Sequence, residues 1–234
     1  MTFDKSQRIK HKTVIKSFLK KLNEESDAFI LKGGTALMIC YNLNRFSEDI
    51  DLDCTHQKLK EFVRRFCDSE GYSFRVGQET DTTHRFFIHY DENNKPLKIE
   101  VSYRNKKISP NTYNKVNGIQ VYTIDRLCQL KSGAYQNRDK IRDLYDLSFI
   151  INHYYDKLSD NTINIVKDAL SYKGFENFDY ITSTQKDDLI NVNVLADSYL
   201  KMYDKLELLY TKEEKHLIKT GNGNGYPGNP GSQR

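Results

Sequence analysis

Apolar positions along the chain switch repeatedly between helical and strand periods, and each change marks a different kind of element. Between Ser6 and Glu25 the apolar residues Ile9, Val14, Ile15, Phe18, Leu19 and Leu22 recur at helical spacing. Ala28 to Leu31 is a short apolar run with strand character, and Gly33-Gly34 interrupts it. Thr35 to Leu43 then reads as a helix and Ile50 to Cys54 as a second strand. Gln57 to Ser69 is helical and ends near Gly71. Three alternating stretches follow, Tyr72–Val76, Arg85–Tyr90 and Leu97–Tyr103, with Asn93-Asn94 as a turn. Gly118 to Tyr122 suggests one more short strand. Beyond Thr123 the strand pattern stops. Ile124–Tyr155, Asn161–Tyr172 and Gln185–Thr220 are helical, the first with a break near Asn137.

This pattern predicts an α+β (mixed α/β) chain with a mixed sheet flanked by helices, followed by a helical bundle. The predicted division is residues 1–122, 123–220 and a tail, 221–234. The tail holds five of the twelve glycines and two prolines, and is expected to be disordered.

Composition narrows the class. With 234 residues, 38% hydrophobic and 29% charged, the chain can bury a core and reads as a soluble protein. No apolar run suits a bilayer span, and the basic, polar start lacks a signal-peptide core, so a cytoplasmic setting without membrane contact is expected. The four cysteines (Cys40, Cys54, Cys67 and Cys128) are scattered and read as free thiols rather than a zinc or disulfide framework. Net charge is only +4, but bases cluster at 5–21, 104–107 and 131–142, compatible with a nucleotide or RNA partner. Apart from His84 and His89, five apart in a predicted sheet, the histidines show no ligand spacing, and all read as structural or surface residues.

Two features carry candidate chemistry. Gly33-Gly34-Thr35 lies between a strand and a helix. The glycines permit a sharp turn and close ligand approach, and the free amides of the helix start can bind a triphosphate, helped by Lys32 and the Thr35 hydroxyl. Asp49, Asp51 and Asp53 alternate along the next strand. They share the face opposite Ile50 and Leu52 and repel one another unless a cation intervenes. Oxygen ligands grouped on one face suit Mg²⁺. Alone, a glycine turn is as readily structural and an acidic strand as readily a solvated edge. Together they bring a phosphate site beside a metal site, the arrangement of two-metal phosphoryl transfer. Glu100, an acid inside the apolar stretch Leu97–Val101, is the candidate third carboxylate, unless alternation simply turns it to solvent.

Farther on, Lys131, Ala134, Arg138 and Arg142 recur at three to four residues and could share one helix face, as a cationic stripe or as ordinary surface salt bridges. Arg142 and Asp146 form an i,i+4 pair there.

Three blocks resemble the AbiEii/AbiGii toxin family of nucleotidyltransferases, which includes the MenT toxins and lies in the polymerase-beta-like superfamily. They are Leu31-Lys32-Gly33-Gly34-Thr35-Ala36-Leu37, Arg45-Phe46-Ser47-Glu48-Asp49-Ile50-Asp51-Leu52, and Lys131-Ser132-Gly133-Ala134 followed by Arg138 and Arg142-Asp143-Leu144-Tyr145-Asp146-Leu147. They span residues 31 to 147. The resemblance implies a nucleotidyltransferase palm followed by a helical bundle that contributes to the site. It implies a nucleoside triphosphate co-substrate, Mg²⁺ or Mn²⁺, and a role as the toxin of a type IV toxin–antitoxin or phage-defence pair with a cognate antitoxin.

By position it implies Asp49 and Asp51 as metal ligands, to which Glu100, read from its own strand, adds a third. With Lys131 and Asp146 these form the catalytic set. Lys32, Gly33, Gly34, Thr35, Ser47, Lys131 and Arg142 form the nucleotide-binding set. Gly133 departs from the larger residue the pattern favours and loosens the helix by about 1 kcal/mol against Ala. The acceptor it implies is the 3′ end of an RNA, tRNA among them. A protein or small-molecule (antibiotic) acceptor, or a non-catalytic nucleotide- or partner-binding module, remains the alternative.

Overall fold

The computed structural model describes residues 3–56 and 58–209. Helix α1 (Lys5–Glu25) opens on a capping box. Asp4 accepts from the Gln7 amide, and the Gln7 side chain accepts from the Asp4 amide. Strand β1 (Ile30–Lys32) runs directly into α2 (Gly33–Cys40), which β2 (Ile50–Asp53) and α3 (Lys60–Glu70) follow. Gly71, with φ +69°, ends α3 in the left-handed conformation that favours glycine. Next come β3 (Ser73–Glu79), β4 (Thr83–His89), β5 (Leu97–Ser102), β6 (Tyr113–Val116) and β7 (Ile119–Tyr122).

Among the described residues these strands form one mixed sheet in the order β3-β4-β5-β2-β1-β7-β6. The β2–β5 and β1–β7 pairs are parallel and the rest antiparallel. The chain is thus a mixed α/β protein, as the pattern predicts.

Alternation gives the sheet two unlike faces. Ile50, Leu52, Phe86, Ile88, Ile99 and Val101 are fully or almost fully buried on one face. There Phe18 of α1 meets Phe62 and Phe66 of α3 edge-on, at ring separations of 5.3 and 5.1 Å. Burying side chains of this size contributes roughly 1.5–3 kcal/mol each. The other face carries charges.

After β7 the chain is helical: α4 (Ile124–Asn137), α5 (Ile141–Tyr154), α6 (Asp160–Lys173), α7 (Asn177–Thr184) and α8 (Val192–Lys205). Helix α4 packs on α5 and α6, and α5 on α8. Thr123, Ser159 and Asn191 cap α4, α6 and α8 through their side chains.

Several boundaries differ from the sequence expectation. β6 was not expected, although Asn117 (φ 50°) and Gly118 (φ 84°) form the two-residue turn, with both φ positive, that closes hairpins. β3 runs on to Glu79, past a register shift at Gly77. Residues 185–191 are not helical, and α7 is an unexpected helix before them. The part of the expected last helix beyond 209, and the glycine-rich tail, lie outside the described residues. The four cysteines are free. No helix among the described residues is long and apolar enough to cross a membrane.

Candidate active site

The charged sheet face is organised by register. Parallel pairing of β2 with β5 sets Asp51 beside Glu100, while β1 sets Lys32 and β4 sets Arg85 on either flank. Asp49, just ahead of β2, receives Lys98 Nζ at 2.6 Å. Glu100 receives Arg85 at 2.7–2.8 Å. Among the described residues, Asp51 has no such partner. Burial pushes its carboxyl above the usual range, repulsion from Asp49 and Glu100 pushes it further, and Lys98 and Lys32 only partly oppose this.

Asp53 leaves the group. It is buried, and accepts from Lys32 Nζ at 2.5 Å, Tyr122 Oη at 2.8 Å and Asn105 Nδ2 at 3.1 Å. A fully satisfied carboxylate of this kind is a fold element, so the third aspartate of the strand braces β1 to β2.

Three hard-oxygen donors, one of them held against its own repulsion, have the chemistry a divalent cation needs. As the side chains lie, Lys98 and Arg85 supply the positive charge. Among the described residues no three acids close around a common point. The donor set fits, and binding an ion requires Lys98 to withdraw from Asp49.

The glycine turn sits against this group. Gly33 has φ +76°, and a Cβ there would stand 2.8 Å from Asp51 Oδ2. A Cβ on Gly34 would stand 2.6 Å from Arg45 Nη2 and 2.9 Å from Ser47 Oγ. Only glycines let the start of α2 approach so closely. Lys32 does not cap the helix with its side chain, and no acid lies in the first turn, so the free amides there form a positive helix end of the kind that suits an anion. The Thr35 side chain turns inward. It is buried, hydrogen-bonds the Asp49 carbonyl and lies 3.0 Å from Ser47 Oγ. It thereby fixes the segment that carries Asp49.

The helical half supplies the opposite wall. Asp146 is fully buried. It accepts Arg45 Nε at 2.7 Å and Nη2 at 2.6 Å, and Lys131 Nζ at 2.6 Å. Lys131 also reaches Asp143 at 3.1 Å, and Arg138 binds Asp143 from the other side at 2.7 Å. Burial opposes charge on Asp143, but Lys131 and Arg138 outweigh it and hold the carboxyl below the usual range.

The expected single cationic face does not form, because α4 ends at Asn137 and Arg142 belongs to α5. Nor does Arg142 pair with Asp146. It binds Asp187 at 2.5 Å and lies 3.8 Å from Glu48. Gly133 leaves α4 unbroken, and nothing lies within 4 Å of where its Cβ would be.

Between the walls lies a cleft of about 830 Å³. Of the sequence candidates, Ser47, Asp49, Asp51, Glu100, Lys131 and Arg142 line it. Lys32, Gly33, Gly34, Thr35 and Asp146 stand behind its surface: the glycines against Asp51 and Arg45, Lys32 on Asp53, Asp146 beneath Lys131. Sequence reasoning did not single out Arg45, Lys98, Lys140, Lys186 or Asp187, which also line it. Lys98 was legible in principle, since it alternates with Glu100 on one strand face. The residues from the loop after α7 had no local signal. His11 is a further support: buried, it contacts Tyr90 Oη at 2.5 Å and donates from Nε2 to the Glu48 carbonyl at 2.7 Å.

Residues 17–215 match the profile of a family described as nucleotidyl transferase AbiEii toxin, type IV TA system. The fold is similar to that of JHP933 from Helicobacter pylori (TM-score 0.74, 26% identity, covering 94% of this chain and 99% of that one). It is also similar to MenT4, the nucleotidyltransferase toxin Rv2826c of Mycobacterium tuberculosis H37Rv (TM-score 0.54, 16% identity, 92% and 91% covered). No curated protein matches the chain in sequence.

Proposed function

The chain belongs to the AbiEii nucleotidyltransferase toxin family, and from that premise we propose that it transfers a nucleoside monophosphate from a nucleoside triphosphate to the 3′ end of an RNA, tRNA being one candidate. The observation that carries this reading is the cleft itself. Asp49, Asp51 and Glu100 form its acidic floor, and Lys131, Arg138, Lys140, Arg142 and Lys186 gather at the other side.

Ser47, Lys131 and Arg142, on the cleft surface, bind the triphosphate, with the Gly33-Gly34 turn packed behind them. Asp49, Asp51 and Glu100 hold Mg²⁺ or Mn²⁺, which when bound supplies charge neutralisation for the phosphoryl group. The acceptor hydroxyl oxygen bonds to the α-phosphorus while the bond from that phosphorus to the β-bridging oxygen breaks. Pyrophosphate leaves, and the hydroxyl proton passes toward Glu100. Asp146 positions Lys131 at the cleft through their ion pair. Residues 1–122 form the catalytic part, and 123–220 the helical part that brings Lys131 and Asp146. A cognate antitoxin and a cytoplasmic setting follow from the same reading.

The test is incubation of the protein with each labelled triphosphate, Mg²⁺ and total RNA. Wild type is expected to label RNA, and Asp49→Ala is not. Equal labelling by both would remove Asp49 from the mechanism. Label on a protein or a small molecule instead would replace the acceptor.

A further inference from the structure

Beyond the cleft, the charged face of the sheet continues onto β5, β4 and β3. Register aligns two rows of side chains on that face, Arg75–Phe87–Lys98 and Arg85–Glu100–Asp51. Phe87 is out of place there. Its neighbours in β4, Phe86 and Ile88, are wholly buried in the core on the far side, whereas Phe87 is half-buried among charges. Two features hold its ring. The Arg75 guanidinium stacks on it, 3.9 Å from the ring centroid. Gly77 lies against its edge, where a Cβ would come within 2.4 Å of ring Cε2. Glycine at that point in β3 gives the ring its seat and coincides with the register shift. Arg75 is exposed and, among the described residues, makes no ion pair, unlike Arg64, Arg65 and Arg85.

We propose that Arg75 and Phe87 form a stacking platform for an unpaired base of a single-stranded RNA acceptor; this rests on the RNA-acceptor reading above. A planar guanidinium pre-stacked on an aromatic ring offers its outer face to a base, and such pairing of bases with aromatic rings and Arg planes is how unpaired RNA is gripped. Among the described residues Arg85 is paired with Glu100 and Lys98 with Asp49, which leaves the Arg75 charge to meet a phosphate of the backbone. Strands lie about 4.8 Å apart, so Phe87 stands roughly 10 Å from Asp49 across the sheet. That is a span of about three stacked bases. A strand held on the platform therefore brings its terminal hydroxyl toward the carboxylates, whereas paired bases in a duplex cannot stack there.

The experiment is fluorescence anisotropy with a short labelled single-stranded RNA and its duplex form, without triphosphate, on wild type, Phe87→Leu and Arg75→Lys. Triphosphate binding and melting temperature serve as controls. Both variants are expected to bind the single strand roughly tenfold more weakly, with duplex binding and the controls unchanged. Arg75→Lys retains the charge and loses only the plane, so wild-type binding by that variant would overturn the proposal. An equal loss for duplex would overturn it too. If wild type labels RNA but neither variant alters binding, the platform alone fails. If wild type neither binds nor labels RNA, the acceptor reading fails and takes the platform with it.

Discussion

Asp51 carries the sharpest conflict between stability and chemistry. Its carboxyl is pushed up by burial and by two neighbouring acids, so its ionised form costs folding free energy at neutral pH. Asp51→Asn is predicted to raise the melting temperature of the metal-free protein while lowering nucleotidyl transfer by at least about 100-fold, read by calorimetry and by the labelling assay. Gly33 makes the reverse prediction. Ala there must adopt a left-handed φ and crowd Asp51 Oδ2, so Gly33→Ala should lose about 1 kcal/mol or more of stability and much of the activity. Asp146 has a third signature. Asp146→Ala leaves Arg45 and Lys131 buried without their shared anion. Urea unfolding should show a loss of about 3–5 kcal/mol.

At the scale of elements, α1 reaches the site through His11. Burial lowers its pKa below the ordinary 6.5, and the neutral ring donates to the Glu48 carbonyl, one residue before Asp49. Below about pH 6.5 the unfolded chain therefore takes up the proton more readily than the folded one. Stability is full above that pH and falls as pH drops through the folded-state value. In His11→Gln the dependence of melting temperature on pH over that window should flatten.

The same scale separates what the sequence could disclose from what it could not. α1 and β5 announce themselves because their apolar positions have one period and one buried face. β6 is short and mostly exposed, so only its Asn117-Gly118 turn betrays it. Asp49, Asp51 and Glu100 were legible as alternating acids. The pairing of Lys98 with Asp49 was not, because it depends on β5 settling beside β2 across some fifty residues of chain. The stripe expected from Lys131 to Arg142 fails because the break expected near Asn137 falls inside it: the chain turns at Arg138 and Arg142 begins anew on α5.

For the whole molecule, an ion held at Asp49, Asp51 and Glu100, as proposed, would couple folding to ion binding. Mg²⁺ should raise the melting temperature of wild type and leave Asp51→Asn nearly unmoved, with chelation reversing the gain.

The Arg45–Asp146 pair has a consequence for biosynthesis. Its partners lie 101 positions apart. A ribosome that has made everything through β7 has already made all three carboxylates, but neither Lys131 nor the acid that seats it. A chain cut short before residue 131 therefore carries the acidic floor without the basic residues that face it across the cleft. On the proposed mechanism, the transfer chemistry would be withheld from nascent and truncated products until the second half is in place.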